Sequence, residues 1–460
     1  MRNISRKRAF ALACCMAVVL CQSLSGLAIA ASGSYRGSGS YAGNMHGSAG
    51  LIKIYVQGAE LALGQNNSGN SHPCPDESLP VTDISEHAGD SRFSIAILPQ
   101  MELLTAVQTQ TTWMDTMGPK NDYGNDYFQA VNEFMQEYKG HEAVTVCQNL
   151  LNSGFAYDAP PSFILHLGPL PDLELVHEYS GYLVRRAGGR EKLEEFRLAL
   201  KALVRESNFL EFLSEWQPQM EKWIAEARNT VNLEKVVGWW EEFAGFSAAG
   251  EYHIILCPAA FGGSYGPRVY DEARSQWVSY NVACAHPGKG APSFGDRLEW
   301  LSIHEIGHSF VNPSFEPFGA QLGPIYPLYN KVKSVMKKQA YANAATFLNE
   351  QVLRAAHAIA EGELYGRESR EESIRREESL GFQWTSFVVE QLEDYISSRN
   401  TYPKFTDFAP VLLESLAQEA SVVRSQTAVK RALLWGAVGL GAVVLFLAYR
   451  HRKAQDMNRG

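Results

Sequence analysis

Five consecutive residues, His304-Glu305-Ile306-Gly307-His308, limit what this chain can fold into more than any other feature in it. On a helix, residues four apart stand one turn apart on one face, so His304 and His308 can turn their imidazoles toward one point. Two such rings can hold one metal ion, and zinc is the ion this spacing suits. Glu305, beside the first ring, is placed to take a proton from water activated there. The neighbouring residues support the helix. Leu298, Leu301, Ile303, Ile306 and Phe310 form an apolar pattern from about Arg297 to Val311. Asp296 is the expected N-cap, and Pro313 predicts termination soon after His308.

A catalytic zinc site takes three protein ligands and keeps one position open, whereas a structural site closes with a fourth. The metzincin pattern would need Gly at 311 and His at 314. Val311 and Ser314 exclude it. A carboxylate on a later helix is the remaining common solution, and NEQVLRAAHAIAEGE (349–363) fits it, inside a helix expected from about Tyr341 to Leu364. Glu350, Arg354, His357 and Glu361 fall along one stripe of that helix. Glu350 lies 42 residues beyond His308, far enough for the chain to loop back beneath the metal. Glu361 and His357 are the alternatives. Arg354 can orient Glu350, meet a substrate, or serve only as an ion-pair partner. His166 reads as a core or strand histidine and His141 as a surface one. His253 lies in a strand that could approach the site, and Tyr326, Tyr329 and Tyr365 are available phenols.

The ends of the chain point outward from the cytoplasm. A basic start (Met1 to Arg8), an apolar run (Ala9 to Leu20) and Ala28-Ile29-Ala30 read as a signal peptide over 1–30. Ala432 to Tyr449 carries no charge over 18 residues, the lower edge of a spanning helix. Arg450, His451, Arg452 and Lys453 follow at once and place the tail, 450–460, in the cytoplasm. The expected topology is an exported domain on a membrane anchor over 432–449. Cys74, Cys147, Cys257 and Cys284 then permit two disulfides; Cys74–Cys147 with Cys257–Cys284 is one of three connectivities. A net charge of −9 argues against a nucleic-acid partner.

Between the ends, residues 31–90 read as a Gly/Ser-rich tether and accessory extension, with a strand-like stretch at Leu51 to Leu63. A compact domain over 91–420 is expected to begin at the apolar run Phe93 to Leu98. Glu191 to Phe243 is helical in pattern; its aromatics Phe209, Phe212, Trp216 and Trp223 have core spacing. Tyr252 to Cys257 and Trp277 to Ala283 read as strands around the Gly-rich turn Gly262 to Gly266. Arg367 to Glu378 alternates in charge and reads as a solvated helix face or exposed linker. The expected class is α+β, with the catalytic half at 251–420.

The block HEIGHSFVNP from His304, followed by LNEQVLRA from Leu348, resembles a bacterial family of exported, largely uncharacterised proteins grouped with the gluzincin-like metallopeptidases. PQMELLTAVQ from Pro99, YFQAVNEFMQEYKGHEAV from Tyr127, GFAYDAP from Gly154, GFQW and TYPKFTDFAP are similar to that family too, so the resemblance spans roughly 92–417. It implies a zincin-like fold, preceded by a mixed α/β and a helical segment. It also implies His304, His308 and Glu350 as ligands of one zinc ion and Glu305 as general base, with Arg354 matching an Arg one turn after that Glu. In such folds an edge strand before the motif helix holds the substrate backbone, here Trp277 to Ala283. The expected function is hydrolysis of a peptide or protein substrate outside the cytoplasm. The rival is a cell-surface binding or adhesion protein with a structural or vestigial metal site.

Overall fold

A computed structural model of the chain describes residues 85–87, 92–118, 124–261, 263–295 and 297–457. The expected signal peptide, Leu51 to Leu63, Cys74, Gly262 and Asp296 lie outside these residues. The order is β1 (Ser85–His87), β2 (Phe93–Ala96), then nine helices: α1 (Pro99–Gln108), α2 (Trp113–Met117), α3 (Asp126–Met135), α4 (Glu142–Asn152), α5 (Ala159–Ile164), α6 (Gly181–Ala187), α7 (Arg190–Glu206), α8 (Phe209–Thr230) and α9 (Leu233–Ala244). Strands β3 (Glu251–Cys257), β4 (Ser264–Tyr265), β5 (Arg268–Asp271) and β6 (Gln276–Cys284) follow. The chain closes with α10 (Arg297–Phe315), α11 (Tyr326–Lys338), α12 (Ala344–Tyr365), α13 (Arg367–Ser379), α14 (Thr385–Ser397) and α15 (Phe405–Met457). The architecture is α+β and mostly helical, around one small mixed sheet.

The sheet runs β1-β2-β3-β6-β4, with β5 also pairing to β6. Strands β2, β3 and β6 are parallel, while β1, β4 and β5 pair antiparallel. The central strands are covered on both faces, which is why IILC and VAC read as unbroken apolar runs. The expectation for the substrate-holding strand is corrected here. Strand β6 lies between β3 and the β4/β5 pair, so its backbone groups are taken and the outer position falls to β4 and β5. Strand β1, within 31–90, pairs antiparallel with β2.

Core packing claims the aromatic stripe of α8. Trp216 and Trp223 lie edge-on to the buried Tyr127 ring at 5.0 and 5.5 Å, and Phe212 stacks on it at 6.1 Å. His166 is buried, with Nδ1 at 2.7 Å from the Ser162 carbonyl. His141 is not a plain surface residue: it caps α4, its ring nitrogen accepting from the Ala143 amide at 3.0 Å. His253 hydrogen-bonds Ser94 at 2.7 Å. Cys147, Cys257 and Cys284 are free, buried thiols, so the Cys257–Cys284 bridge is not formed, although the two are register neighbours on β3 and β6.

The motif helix outruns its proline. It continues to Phe315, past the stop expected at Pro313. A proline at 313 cannot donate to the carbonyl of Ser309. Arg268, from β5, supplies that bond instead, donating from Nη1 at 2.9 Å. Gly307 has an equally specific reason. A Cβ there would lie 2.3 Å from the Trp240 ring and 2.5 Å from Leu353, the side chains through which α9 and α12 reach the motif helix. Gly307→Ala is expected to destabilise the protein by about 1–3 kcal/mol through overpacking, although alanine is the better helix former. Urea titration checks this; a variant as stable as wild type contradicts the close-packing account.

Glu102, on α1, is buried with neither carboxylate oxygen in a hydrogen bond. Burial pushes its pKa up from 4.5 to about 8, and the nearby Tyr127 hydroxyl offsets this only in part. The folded state therefore holds a proton that the unfolded chain releases. Its stabilising effect is complete below about pH 4.5 and is lost as pH rises toward 8, at up to about 1.4 kcal/mol per pH unit. Glu102→Gln should therefore gain stability relative to wild type on going from pH 5 to pH 8, measured as melting temperatures. Parallel profiles would show that Glu102 is ionised in the fold.

The first part of α15 buries Phe405, Phe408, Leu412, Leu416, Ala420 and Val423, whereas Leu433, Trp435, Val438 and Val443 to Leu447 are exposed. Among the described residues no helix is long and apolar enough to cross a membrane. The expected anchor, Ala432 to Tyr449, includes residues 432, 434, 436 and 437, whose side chains lie outside them.

Candidate metal centre

Two helices build the centre. α10 brings His304 and His308 to one face, and α12, begun by its Asn343 cap, lays Glu350 against them. Imidazole and carboxylate atoms of His304, His308 and Glu350 all lie within 4.8 Å of one another, the one such group among the described residues. His304 Nε2 is 3.6 Å from Glu350 Oε2, and His308 Nε2 is 3.5 Å from Glu350 Oε1. A tetrahedral ion with bonds of about 2.0–2.2 Å sets its ligand atoms about 3.3–3.6 Å apart. The donor set and its spacing therefore fit a divalent metal, which would bring its three ligands together across one point.

The electrostatics agree. Burial holds the His304 imidazole well below its usual pKa, and the charges of Arg354, His308 and His357 press the same way, so the ring stays neutral, as a metal ligand must. Glu305 is also buried, with Oε2 at 4.0 Å from His308 Nε2, beside the ligand group rather than in it. Burial, then the charges of Glu350 and Asp158, raise the Glu305 pKa to about 8 in the metal-free protein. Glu305 can therefore carry a proton near neutral pH.

Of the two alternative ligands, Glu361 pairs with Arg376 at 3.2 Å. His357 is buried against the Trp300 ring at 4.7 Å. Neither joins the ligand group. Arg354 orients Glu350, donating from Nε to Oε2 at 3.0 Å. Of the phenols, Tyr326 is exposed, Tyr329 is turned to the Tyr341 carbonyl, and Tyr365 bonds Glu299.

Several neighbours of the centre were not legible beforehand. Asp158, in the GFAYDAP segment, acts on Glu305 through its charge and lies within the field of His308, while accepting from the Tyr182 hydroxyl at 2.6 Å. Gly266, between β4 and β5, passes so near the motif helix that a Cβ would sit 2.2 Å from the Glu305 carbonyl. The charged stretch 367–378 is corrected most. It forms α13 against α12, and Ser373 and Glu377 are buried on its inner side. The run of charges hides a helical period that faces these two inward.

The family described as a domain of unknown function (DUF4932) matches residues 94–415, and the chain belongs to it. No curated protein and no solved structure matches the chain.

Proposed function

We propose that the protein is a zinc-dependent metallohydrolase of zincin-like type, acting outside the cytoplasm on peptide bonds of a peptide or protein substrate. The observation that carries this is the convergence of His304, His308 and Glu350 at metal-ligand spacing, with the Glu305 carboxylate beside them. Among the described residues the group offers three ligands and no fourth, the count of a catalytic site rather than a structural one. That count weighs against a purely structural metal in a surface-binding protein.

Zinc held there would polarise a carbonyl and bring water within reach of deprotonation near neutral pH. The residues of the chain do the rest. His304, kept neutral, and Glu350, held by Arg354, fix the position of the ion. Glu305 takes the proton of the attacking water on its carboxylate and returns it to the leaving amine. The outer strands β4 and β5, beside the motif helix, are the proposed rail for the substrate backbone. The signal peptide over 1–30 and the apolar end of α15 over 432–449 are proposed to export and anchor the domain of 91–420, leaving 450–460 in the cytoplasm.

The test is cleavage of a peptide library by the zinc-loaded protein with and without a chelator. Chelator-sensitive cleavage supports the proposal. A protein that takes up zinc and cuts nothing, in the library or among exported proteins, points to the surface-binding role.

A further inference from the structure

We infer that α13 positions the metal centre: Glu377, working through Arg354, fixes the rotamer of the third ligand, Glu350. This inference rests on the reading of His304, His308 and Glu350 as metal ligands.

The guanidinium of Arg354 bonds in three directions. Nε donates to Glu350 Oε2 at 3.0 Å, Nη1 to Glu377 Oε2 at 2.5 Å, and Nη2 to the Tyr341 hydroxyl at 3.0 Å. Its plane also lies 4.4 Å from the Phe382 ring. A planar fork held at three corners and one face is fixed in place, so the one Glu350 oxygen it bonds is held with it. The gripped oxygen, Oε2, is the one facing His304, which leaves Oε1 toward His308.

Charge makes Glu377 necessary to this arrangement. Arg354 is partly buried, and a guanidinium facing one carboxylate could follow that carboxylate through several geometries. With Glu377 on its other side, itself buried and fixed by Arg376 Nε at 3.1 Å, the cation is held between two anions. The same Arg376 lies 5.1 Å over the Trp300 ring, which stacks at 6.1 Å on the ring of His304. Two adjacent residues of α13 thus brace the ligand from α12 and lie behind the one from α10. Partners of this kind tune metal affinity by holding ligands in their bound geometry before the ion arrives.

The experiment measures zinc dissociation constants by chelator competition, with melting of the metal-free proteins, for wild type, Glu377→Gln, Glu377→Asp and Arg354→Met. Glu377→Gln is expected to weaken zinc binding about 10–100-fold while the metal-free protein still melts cooperatively. Glu377→Asp keeps the charge and the fold and should fall between wild type and Glu377→Gln. Adding Glu377→Gln to Arg354→Met should weaken binding no further, because the route runs through Arg354; a purely structural role of Glu377 would not give that coupling. Zinc binding unchanged in Glu377→Gln, or in Glu377→Asp should the Gln variant not fold, overturns the inference and leaves the metal site standing. A wild-type protein that takes up no zinc overturns both.

Discussion

Alanine at His308 or at Glu350 is expected to strip the protein of zinc, taking it from about one ion per chain to none at micromolar metal. Each would supply one of three ligand atoms, and His308 and Glu350 face each other at 3.5 Å across the point where the ion would sit. The loss should exceed the roughly 10–100-fold that removal of an outer partner costs, because a direct bond is gone. The two variants should differ in stability. His308→Ala removes a partly exposed ring. Glu350→Ala removes one of the two carboxylates of the partly buried Arg354 while Glu377 still pairs with it, so its cost should stay below the roughly 3–5 kcal/mol of a buried charge left without any partner. Glu361→Ala is the control and should keep its metal, since Glu361 pairs with Arg376. Metal analysis of the purified variants decides the matter. Zinc lost in His308→Ala but kept in Glu350→Ala would move the third ligand elsewhere.

Glu305→Gln should separate catalysis from metal binding. The amide keeps the shape of the carboxylate but cannot accept and return a proton. Zinc content is expected to stay near wild type, because Glu305 is outside the ligand group. Peptide cleavage should fall by about 10²–10⁴-fold in kcat, the range that general acid–base groups contribute. A variant that keeps both zinc and full cleavage would remove Glu305 from the mechanism. A wild type whose only activity is binding, retained in Glu305→Gln, would favour the surface-binding alternative.

The sequence by itself determined the local chemistry. His304, Glu305 and His308 are fixed to one another by helical spacing, and helical geometry is set within a few residues. The stripe from Glu350 to Glu361 was legible for the same reason, as were strands β3 and β6 from their apolar runs. Spacing could not choose among Glu350, His357 and Glu361, since all three share the stripe. The choice was made by how α12 packs on α10, with Leu353 meeting Gly307 and so bringing Glu350 level with the two rings. Tertiary structure alone decided the rest. The interior place of β6 is a matter of strand order, which no single strand encodes. The donor that α10 lacks at Pro313 is supplied by Arg268, 45 residues earlier in the chain. Glu377 reads as one charge in a solvated run until α13 lies on α12, where burial makes a carboxylate costly unless it is paired. Arg354 and Arg376 supply that pairing, and Arg354 ties a segment that composition marks as surface to the centre of the molecule.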